Sequence, residues 1–449
     1  MSQKKSGILI PSRGMSRRSF LRTGGAAAAG ALAMASGLSF LNPRLLRAQD
    51  VAGSDLRILW LEPSIPASKE TREAAMHAWA EAAGVNLTLE TVALDQLAST
   101  LATMAELQSG ADLVAMYAMD VAVNAPVLSD LSALAEELDE PLGGWYEGPQ
   151  TIAVRDGVWK ALPVAIYGQY WVYRTDLFES VGAAGWPETW EGLHEIGAAL
   201  KAAGTPIGFS LGPAVTDGAT HCYSLLWSFG GAEFEEDGTT IALNSPETLA
   251  CLEFFRDFYH DACAENAFAW NETGNNQAFL SGQVAATNNA NTIYAGLATN
   301  APDLVGKASH GQTLAGPAGA YQYMSSEYWG IPSYSQNPAA AAAFLRDSFY
   351  TLDFQTAWTQ AGNGYNLPAF GALEEVDEAW PTDPNLASAR TLAETTRVPG
   401  WRGPFTQAIG ESMNRFLIIN MFAAVAQGTA PQDAINMTVD EMNNILQSA

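Results

Sequence analysis

The chain has 449 residues, of which 22 are basic and 48 are acidic, and its formal charge is −26. The first 48 residues hold eight of the basic residues and none of the acidic ones, so the 401 residues from 49 onward carry a formal charge of −34. This charge argues against nucleic acid or an anionic membrane as a partner, because both require clustered positive charge. The length suits two or three domains.

The N-terminal segment is organised like a secretory signal. A basic stretch without acids precedes an apolar run at 24–41, and Ala48 offers a small residue for cleavage. Arg17 and Arg18, followed by Phe20 and Leu21, resemble the twin-arginine export signal, whose passengers are exported folded. We therefore expect residues 1–48 to be removed. An uncleaved anchor is the alternative, but a membrane span needs about 20 strongly apolar residues and this run is rich in Ala and Gly.

The three cysteines bear on location and on disulfides. None lies at the end of the apolar run, where a bacterial lipoprotein carries its lipidated cysteine, so we expect a diffusible protein of the periplasm. Cys251 and Cys263 are twelve residues apart in one predicted helix. That spacing separates them by about 18 Å, which is too far for a disulfide. A disulfide from Cys222 to either one remains open.

Strand and helix patterns alternate from residue 56 onward, which is typical of an α/β fold. The first patterns predict, in chain order, a strand at 56–63, a helix at 69–84, a strand at 85–93, a helix at 94–109 and a strand at 112–117. This βαβαβ start indicates a parallel sheet with right-handed crossovers.

The later patterns continue the alternation without a linker or an internal repeat. Asp156 and Gly157 form a hairpin-turn signal. Two extended apolar stretches, VWKALPVAI (158–166) and YGQYWVYR (167–174), follow it. A strand begins at 285, and helices are predicted at 188–203, 245–262 and 275–282, twice within 338–361, as one long helix at 404–427, and at 431–447. Two domains would therefore be built from discontinuous segments of the chain.

Four passages stand out by their order and spacing. They are AVRDGVWKALPVAI (153–166), YWVYRTDLFESVGAAGWPETWEGLHEIGAALKAAG (170–204), QAFLSGQVAATNNA (277–290) and EYWGIPSYSQNPAAAAAFL (327–345). Together they resemble the sugar-binding extracellular solute-binding proteins of ABC importers, the family that includes maltose-binding protein. The sequence departs from that pattern at Arg174, where Asn is common, and at Thr287, where Met is common.

The resemblance implies a two-lobed periplasmic binding protein fold, with discontinuous α/β lobes joined by three crossings. We place the N-terminal lobe at 50–163 plus 284–330 and the C-terminal lobe at 164–283 plus 331–449. The resemblance also implies that a ligand in the cleft favours the closed arrangement of the lobes. The closed protein then docks on the transmembrane subunits of an ABC permease. We expect a monomer that needs no cofactor.

Candidate ligand-binding residues follow from the chemistry of sugars, whose C–H faces suit aromatic rings and whose hydroxyl groups suit directional polar side chains. Ligands of open α/β sheets bind beyond the carboxyl ends of the strands. Residues of both kinds near strand ends and crossings are Glu62, Tyr117, Asp120, Tyr167, Tyr223, Asn289, Asn291, Tyr328, Trp329, Tyr365, Trp401 and Arg402. For each aromatic residue, packing in the core is the alternative.

The charge of the ligand stays open at this stage. His221 and Arg402 favour an acidic or sulfonated sugar, whereas Glu62 and Asp120 favour a neutral polyol or a cation. Amino acids, polyamines and other polar solutes are further alternatives.

An exported carbohydrate-active enzyme, a glycosidase or a lyase, is the alternative function. GFSLG (208–212) fits the G-x-S-x-G nucleophile elbow, which would make Ser210 a nucleophile. The elbow needs a helix directly after the serine, but Pro213 and a loop-like stretch follow it. The five histidines lack metal-ligand spacing, and EEVDE (374–378) lacks the pattern of a calcium loop.

Overall fold

The computed structural model describes residues 51–448 except 213, 215 and 393–395, so the predicted signal peptide, residues 1–48, lies outside the described part. The strands are β1 Asp55–Leu61, β2 Asn86–Val92, β3 Leu113–Tyr117, β4 Val154–Arg155, β5 Val158–Trp159, β6 Leu162–Tyr167, β7 Gln169–Arg174, β8 Ile207–Gly208, β9 Ala286–Ala290, β10 Ala308–Gly311, β11 Ala315–Gly316, β12 Gly319–Ala320, β13 Gln322–Tyr323, β14 Ser325–Gly330, β15 Asn366–Leu367 and β16 Thr396–Arg397.

Helices lie between and after these strands, close to the positions that the sequence patterns predict. They are α1 Pro66–Ala83, α2 Leu94–Leu107, α3 Ala118–Asn124, α4 Ser132–Asp139, α5 Glu147–Ala153, α6 Thr175–Ser180, α7 Trp190–Ala202, α8 Asp217–Ser228, α9 Pro246–Ala262, α10 Gly274–Leu280, α11 Thr292–Asn300, α12 Pro338–Phe344, α13 Leu352–Gly362, α14 Gln407–Asn414, α15 Leu417–Ala426 and α16 Pro431–Ser448. Several short 3-10 turns join them.

A six-stranded sheet forms the core of the first lobe, in the order β15-β6-β14-β3-β1-β2. Strand β1 pairs in parallel with β2 and β3, which confirms the predicted βαβαβ start. Strand β14 pairs antiparallel with both β3 and β6 and brings Glu327 opposite Tyr117 and Ser325 opposite Tyr167. The carboxyl ends of β1, β3 and β6 therefore lie at one edge of this sheet, together with the start of β14.

A four-stranded sheet forms the core of the second lobe, in the order β10-β7-β9-β8. Only Gly168 separates β6 of the first sheet from β7 of the second. A Cβ atom on Gly168 would lie 2.5 Å from the Tyr170 hydroxyl oxygen and 2.8 Å from the Gly364 carbonyl oxygen. This close approach of the backbone at the crossing requires glycine.

The lobe boundaries differ from those predicted. Residues 284–330 were assigned to the N-terminal lobe, but β9 and β10 both pair with β7 and so belong to the second sheet. The chain returns to the first sheet only at β14. Helices α12 and α13 follow β14, and α13 packs against α1 of the first lobe. Strand pairing at a distance, which local sequence patterns do not report, decides these assignments.

The third crossing follows α13 and the short turns after it. After this crossing, Asp383 accepts a hydrogen bond from Tyr294, and Asn385 accepts one from Ser309. Tyr294 and Ser309 both belong to the second lobe. Further on, α15 and α16 pack against α9, whereas α14 packs against α3 of the first lobe.

The predicted long helix at 404–427 is two helices, α14 and α15. Phe416, between them, has a φ of +56°, a left-handed conformation that a continuous helix does not contain. Cys222, Cys251 and Cys263 are all free and buried, so Cys222 forms no disulfide with either of the other two. Among the described residues, no helix is long and apolar enough to span a bilayer.

The break at Phe416 leads to a prediction about stability. We expect the Phe416→Gly variant to be more stable than the Phe416→Ala variant by about 1 kcal/mol, because glycine adopts this φ without a Cβ clash. Urea unfolding of both variants measures the difference. At Asn420, an exposed position within α15, the matched pair should show the reverse order, since alanine stabilises a helix interior relative to glycine. The same order at both positions would contradict the break.

Candidate functional site

A cavity of about 370 Å³ lies between the two lobes. The first-lobe wall consists of residues at the strand-end edge of the six-stranded sheet, and the second-lobe wall consists of the starts of α8, α10 and α11 with the end of β9. Its polar and aromatic lining residues include Glu62, Ser64, Ser68, Arg72, Tyr117, Tyr167, Gln169, Thr216, Asp217, Glu272, Thr273, Asn276, Asn289, Thr292, Asn300, Ser325, Glu327, Trp358 and Tyr365. The position beyond the strand ends is the one expected for a ligand of an open α/β sheet.

A buried ion pair forms the floor of the cavity. Arg72 of α1 donates to Glu327 of β14 with an N–O distance of 2.7 Å, and both side chains are at most 2% exposed. Glu327 also accepts a hydrogen bond from the Tyr167 hydroxyl. The Arg72 guanidinium lies 4.7 to 5.5 Å from the ring centroids of four aromatic residues, Trp60, Trp329, Phe349 and Trp358. The aromatic faces favour the cation that burial would otherwise penalise.

Three tyrosines cover the first-lobe wall. The rings of Tyr117 and Tyr167 are stacked with centroids 6.0 Å apart, and the ring of Tyr365 lies 4.8 Å from that of Tyr167. Burial raises the pKa of each of these hydroxyls, so all three are protonated at neutral pH. The wall thus presents neutral ring faces together with hydroxyl groups.

The second-lobe wall is built around Asp217 at the start of α8. Its carboxylate accepts hydrogen bonds from the side-chain amides of Asn275 and Asn289, each at 2.9 Å. Glu272 accepts from the backbone N–H of Thr216 at 2.8 Å and from its hydroxyl at 2.7 Å. Burial, with the nearby charge of Glu272, raises the pKa of Asp217 well above its usual value.

Four buried polar atoms of residues that line the cavity have no hydrogen-bond partner within the described part of the protein. They are Arg72 Nε, Gln169 Oε1, Ser325 Oγ and Trp358 Nε1. Buried polar groups in proteins are nearly always paired, and leaving one unpaired costs about 1–3 kcal/mol. All four belong to side chains beside the space that a bound molecule would occupy.

Five of the twelve predicted residues line this cavity, namely Glu62, Tyr117, Tyr167, Asn289 and Tyr365. Several lining residues were missed, and they are Arg72, Gln169, Asp217, Asn276, Glu272, Ser325, Glu327 and Trp358. Most of these lie within a helix or a loop or at the start of a strand, where the rule of looking at the ends of strands does not find them.

Three of the predicted residues instead hold the fold together. Asp120 accepts the backbone N–H of Tyr117 at 2.9 Å and caps the start of α3. Tyr223 is buried and donates to Glu233 at 2.9 Å. Asn291 donates to the carbonyl of Asn363 and thereby connects the second lobe to the end of α13.

Tyr328 and Trp329 are fully buried on β14, and neither lines the cavity. The Tyr328 hydroxyl lies 2.8 Å from that of Ser326. For these aromatic residues, the core-packing alternative is the one that the structure supports. The Trp329 ring packs against the guanidinium of Arg72, and Arg72 in turn lines the cavity.

Trp401 and Arg402 line a second groove of about 850 Å³. The end of β6 and the start of β14 separate this groove from the cavity between the lobes. Ile166 and Met324 line this groove, whereas their chain neighbours Tyr167 and Ser325 line the cavity between the lobes. Side chains of neighbouring strand residues point to opposite faces, which explains the separation.

Ser210 does not have the surroundings of a nucleophile. It is fully buried, and its hydroxyl donates to the backbone carbonyl of Asn271 at 3.0 Å. The next helix, α8, begins only at Asp217, so the strand–turn–helix geometry of a nucleophile elbow is not formed. Within the described residues, no group of three or more His, Cys, Asp or Glu side chains is arranged to hold a metal ion.

Comparison with known proteins identifies the family. The family described as bacterial extracellular solute-binding protein matches residues 63–346, which is more than half of the chain. The chain belongs to this family. A solute-binding protein captures its ligand without converting it, which decides against the glycosidase or lyase alternative. A search of curated protein sequences found no significant match.

Solved structures of other solute-binding proteins share the two-lobed fold. A maltose-bound T. maritima MalE3 is 19% identical, with a TM-score of 0.72 over 88% of this chain and 100% of that one. The GacH receptor of Streptomyces glaucescens, solved unliganded and with acarbose, is 18% identical, with a TM-score of 0.74 over 88% and 99%. A sugar transporter from Arthrobacter chlorophenolicus with bound laminaribiose is 16% identical, with a TM-score of 0.75 over 87% and 99%.

Asp120 generates a prediction about pH. Burial raises its pKa from 3.8 to about 7. Between these two pH values the folded protein therefore keeps a proton on Asp120 that the unfolded chain has lost. Its contribution to stability is therefore present at low pH and is lost as the pH rises towards 7. We expect Asp120→Asn to lessen the fall in unfolding free energy between pH 4 and 7, measured by urea titration. Asp440→Asn, on the surface of α16, is the control. An unchanged slope in Asp120→Asn would contradict the assignment.

Proposed function

We propose that this solute-binding protein captures a carbohydrate in the cavity between its lobes and delivers it to the transmembrane subunits of an ABC permease. The observation that carries the proposal is a cavity between the lobes whose lining combines three tyrosine rings with many polar side chains. A sugar supplies many hydroxyl groups for such side chains and an apolar face for the rings. Maltose, acarbose and laminaribiose in the related structures agree with this ligand class.

The proposal includes closure of the lobes about the ligand. Cavity residues come from both lobes, so a bound molecule contacts both walls only when they are close together. A ligand favours the closed arrangement by the difference between its affinities for the two arrangements. The closed protein presents a different surface from the unliganded protein, and a permease can recognise that difference. We further propose that the protein acts as a monomer, since one chain supplies both walls.

The N-terminal sequence supports a proposal about location. We infer that the twin-arginine route exports the folded protein to the periplasm, on the evidence of Arg17 and Arg18 before an apolar run. We expect a variant with both arginines replaced by lysine to stay in the cytoplasm with residues 1–48 uncleaved. Cell fractionation measures this. Normal processing of that double variant would contradict the route.

Binding and turnover are tested on purified residues 49–449 with a panel of mono- and oligosaccharides, polyols and sugar acids. A sugar at 100 times its Kd should stabilise the folded protein by about 2.7 kcal/mol, which raises its melting temperature by several degrees. Chromatography of the mixture should recover the sugar unchanged. A chemical product would contradict the transport function, and the absence of any thermal shift would contradict the ligand class.

A matched pair of variants locates the binding site. Tyr365→Ala removes a half-buried ring from the cavity and should weaken sugar binding about tenfold or more in calorimetry, since ring contacts contribute substantially to such sites. Tyr146→Ala removes a similar ring from the second groove, on the other face of the crossing strands, and should leave the affinity unchanged. Equal losses in both variants would place the ligand elsewhere.

A further inference from the structure

The loop at 363–365, which directly follows α13, is bonded to the first crossing and to the second lobe through three consecutive backbone carbonyls. In chain order, these carbonyls accept hydrogen bonds from the side-chain amide of Asn291, the hydroxyl of Tyr170 and the backbone N–H of Gly168. The last two bonds each measure 3.0 Å between donor and acceptor atoms. The donors are thus the glycine between the two sheets, a residue of β7 and the residue that precedes α11.

The backbone of this loop is shaped for these contacts. Asn363, which ends α13, has a φ of +45°, and Gly364 has a φ of +86°, so two successive left-handed residues turn the chain sharply. A Cβ atom on Gly364 would lie 3.3 Å from Nδ2 of Asn291, so a side chain at this position would press on that donor. Glycine therefore suits both the turn and the close approach of Asn291.

Tyr365 is the residue by which the loop reaches the ligand cavity. Its half-buried ring lies 4.8 Å from the ring of Tyr167, and its hydroxyl oxygen lies 3.4 Å from that of Ser64, so the side chain contacts the first lobe. Tyr365 lines the cavity, whereas Asn291 and Tyr170 are not among the described residues that line it. The ring therefore forms part of the first-lobe wall, while the backbone next to it is bonded to the second lobe.

Opening of the lobes changes the distance between the donors and the loop. Helix α13 packs against α1 of the first lobe, whereas Tyr170 lies on β7 of the second sheet and Asn291 directly follows β9 of the same sheet. A rotation at Gly168 moves these two donors relative to α13, so their bonds break unless the loop moves with them. Either change displaces the backbone that carries the Tyr365 ring.

Resting on the proposed function, we propose that Asn291 and Tyr170 are positioning residues for sugar binding, which place the Tyr365 ring against the ligand when the lobes close. Neither side chain contacts the sugar, and both act through the carbonyls of residues 363 and 364. The inference goes beyond closure of the lobes, because it names the contact by which closure completes the aromatic wall of the cavity.

A double-mutant cycle, measured by calorimetry with the tightest-binding sugar of the panel, tests this role. Tyr170→Phe removes one hydroxyl and keeps the ring, and it should weaken binding about threefold or more, the factor expected for one hydrogen bond. In the Tyr365→Ala background the same change should have no further effect on the affinity, because the ring that it positions is absent. Asn291→Ala should behave in the same way in both backgrounds.

Tyr259→Phe is the matched control for Tyr170→Phe. The Tyr259 hydroxyl also donates to a backbone carbonyl, that of Glu265 at 2.9 Å, but Tyr259 lies on α9 and is not among the described residues that line the cavity. This variant should leave the sugar affinity unchanged in both backgrounds. Circular dichroism and thermal unfolding show whether each variant is folded, and Tyr170→Phe carries the test if Asn291→Ala, at a fully buried position, does not fold.

The outcomes separate the inference from the function on which it rests. Weaker binding in the otherwise unchanged protein, with no further loss in the Tyr365→Ala background, supports both. Equal losses in the two backgrounds, no loss in either, or the same loss in Tyr259→Phe overturns the positioning role and leaves carbohydrate binding intact. An unchanged affinity in Tyr365→Ala itself also overturns it, since the ring is then not a ligand contact. Failure of every sugar of the panel to bind overturns the proposed function and the inference together.

Discussion

The buried ion pair between Arg72 and Glu327 is the interaction on which the cavity depends. It joins α1 to β14, and through the Tyr167 hydroxyl it also joins the end of β6. Burying two charges costs several kcal/mol per ion, and good geometry with further hydrogen bonds is needed to offset that cost. Here the aromatic rings around the Arg72 guanidinium and the hydrogen bond from the Tyr167 hydroxyl help to offset that cost. Removing one partner would leave the other charged and buried at the base of the cavity.

This pair also decides the electrostatics of the site. It uses Arg72, the one basic side chain among the described residues that line the cavity, to compensate the charge of Glu327 in the floor. The aromatic residues that surround Arg72 are held in the core, which explains why Trp60 and Trp329 are unavailable to a ligand. The three tyrosines and the polar side chains of the second lobe line the cavity instead.

The connection between the lobes explains how the two walls can move relative to each other. Gly168 alone lies between the strands of the two sheets at the first crossing, and Met324 alone lies between β13 and β14 at the second. Hydrogen bonds from Asn291 to Asn363 and from Tyr170 to Gly364 join the lobes close to these crossings. Few residues therefore need to change conformation when the lobes open and close, as in other hinge motions.

Local patterns predicted much of the fold, because apolar periodicity reflects which face of each element is buried. The first five elements lie within a few residues of their predicted bounds, and the hairpin turn at Asp156 and Gly157 joins β4 to β5. The lobe boundaries were wrong because β9 and β10 pair with a strand far away in the sequence.

The same reasoning explains the mixed result for the site. Tyr117 and Tyr167 were found because they end buried strands, whereas Asp217 begins a helix and Glu272 lies in a loop. No local feature distinguishes these two among the 48 acidic residues of the chain. Only the tertiary structure brings them together beside the cavity.

Closure of the lobes around a sugar is tested most directly by a distance measured across the cavity. Spin labels on Asp95→Cys in α2 and Gln277→Cys in α10 occupy exposed positions, one on each lobe, and the three native cysteines are buried. Double electron–electron resonance should show a shorter and narrower distance distribution with the tightest-binding sugar than without it. The same distribution in both samples, at a sugar concentration that saturates the protein, would contradict ligand capture by closure of the lobes.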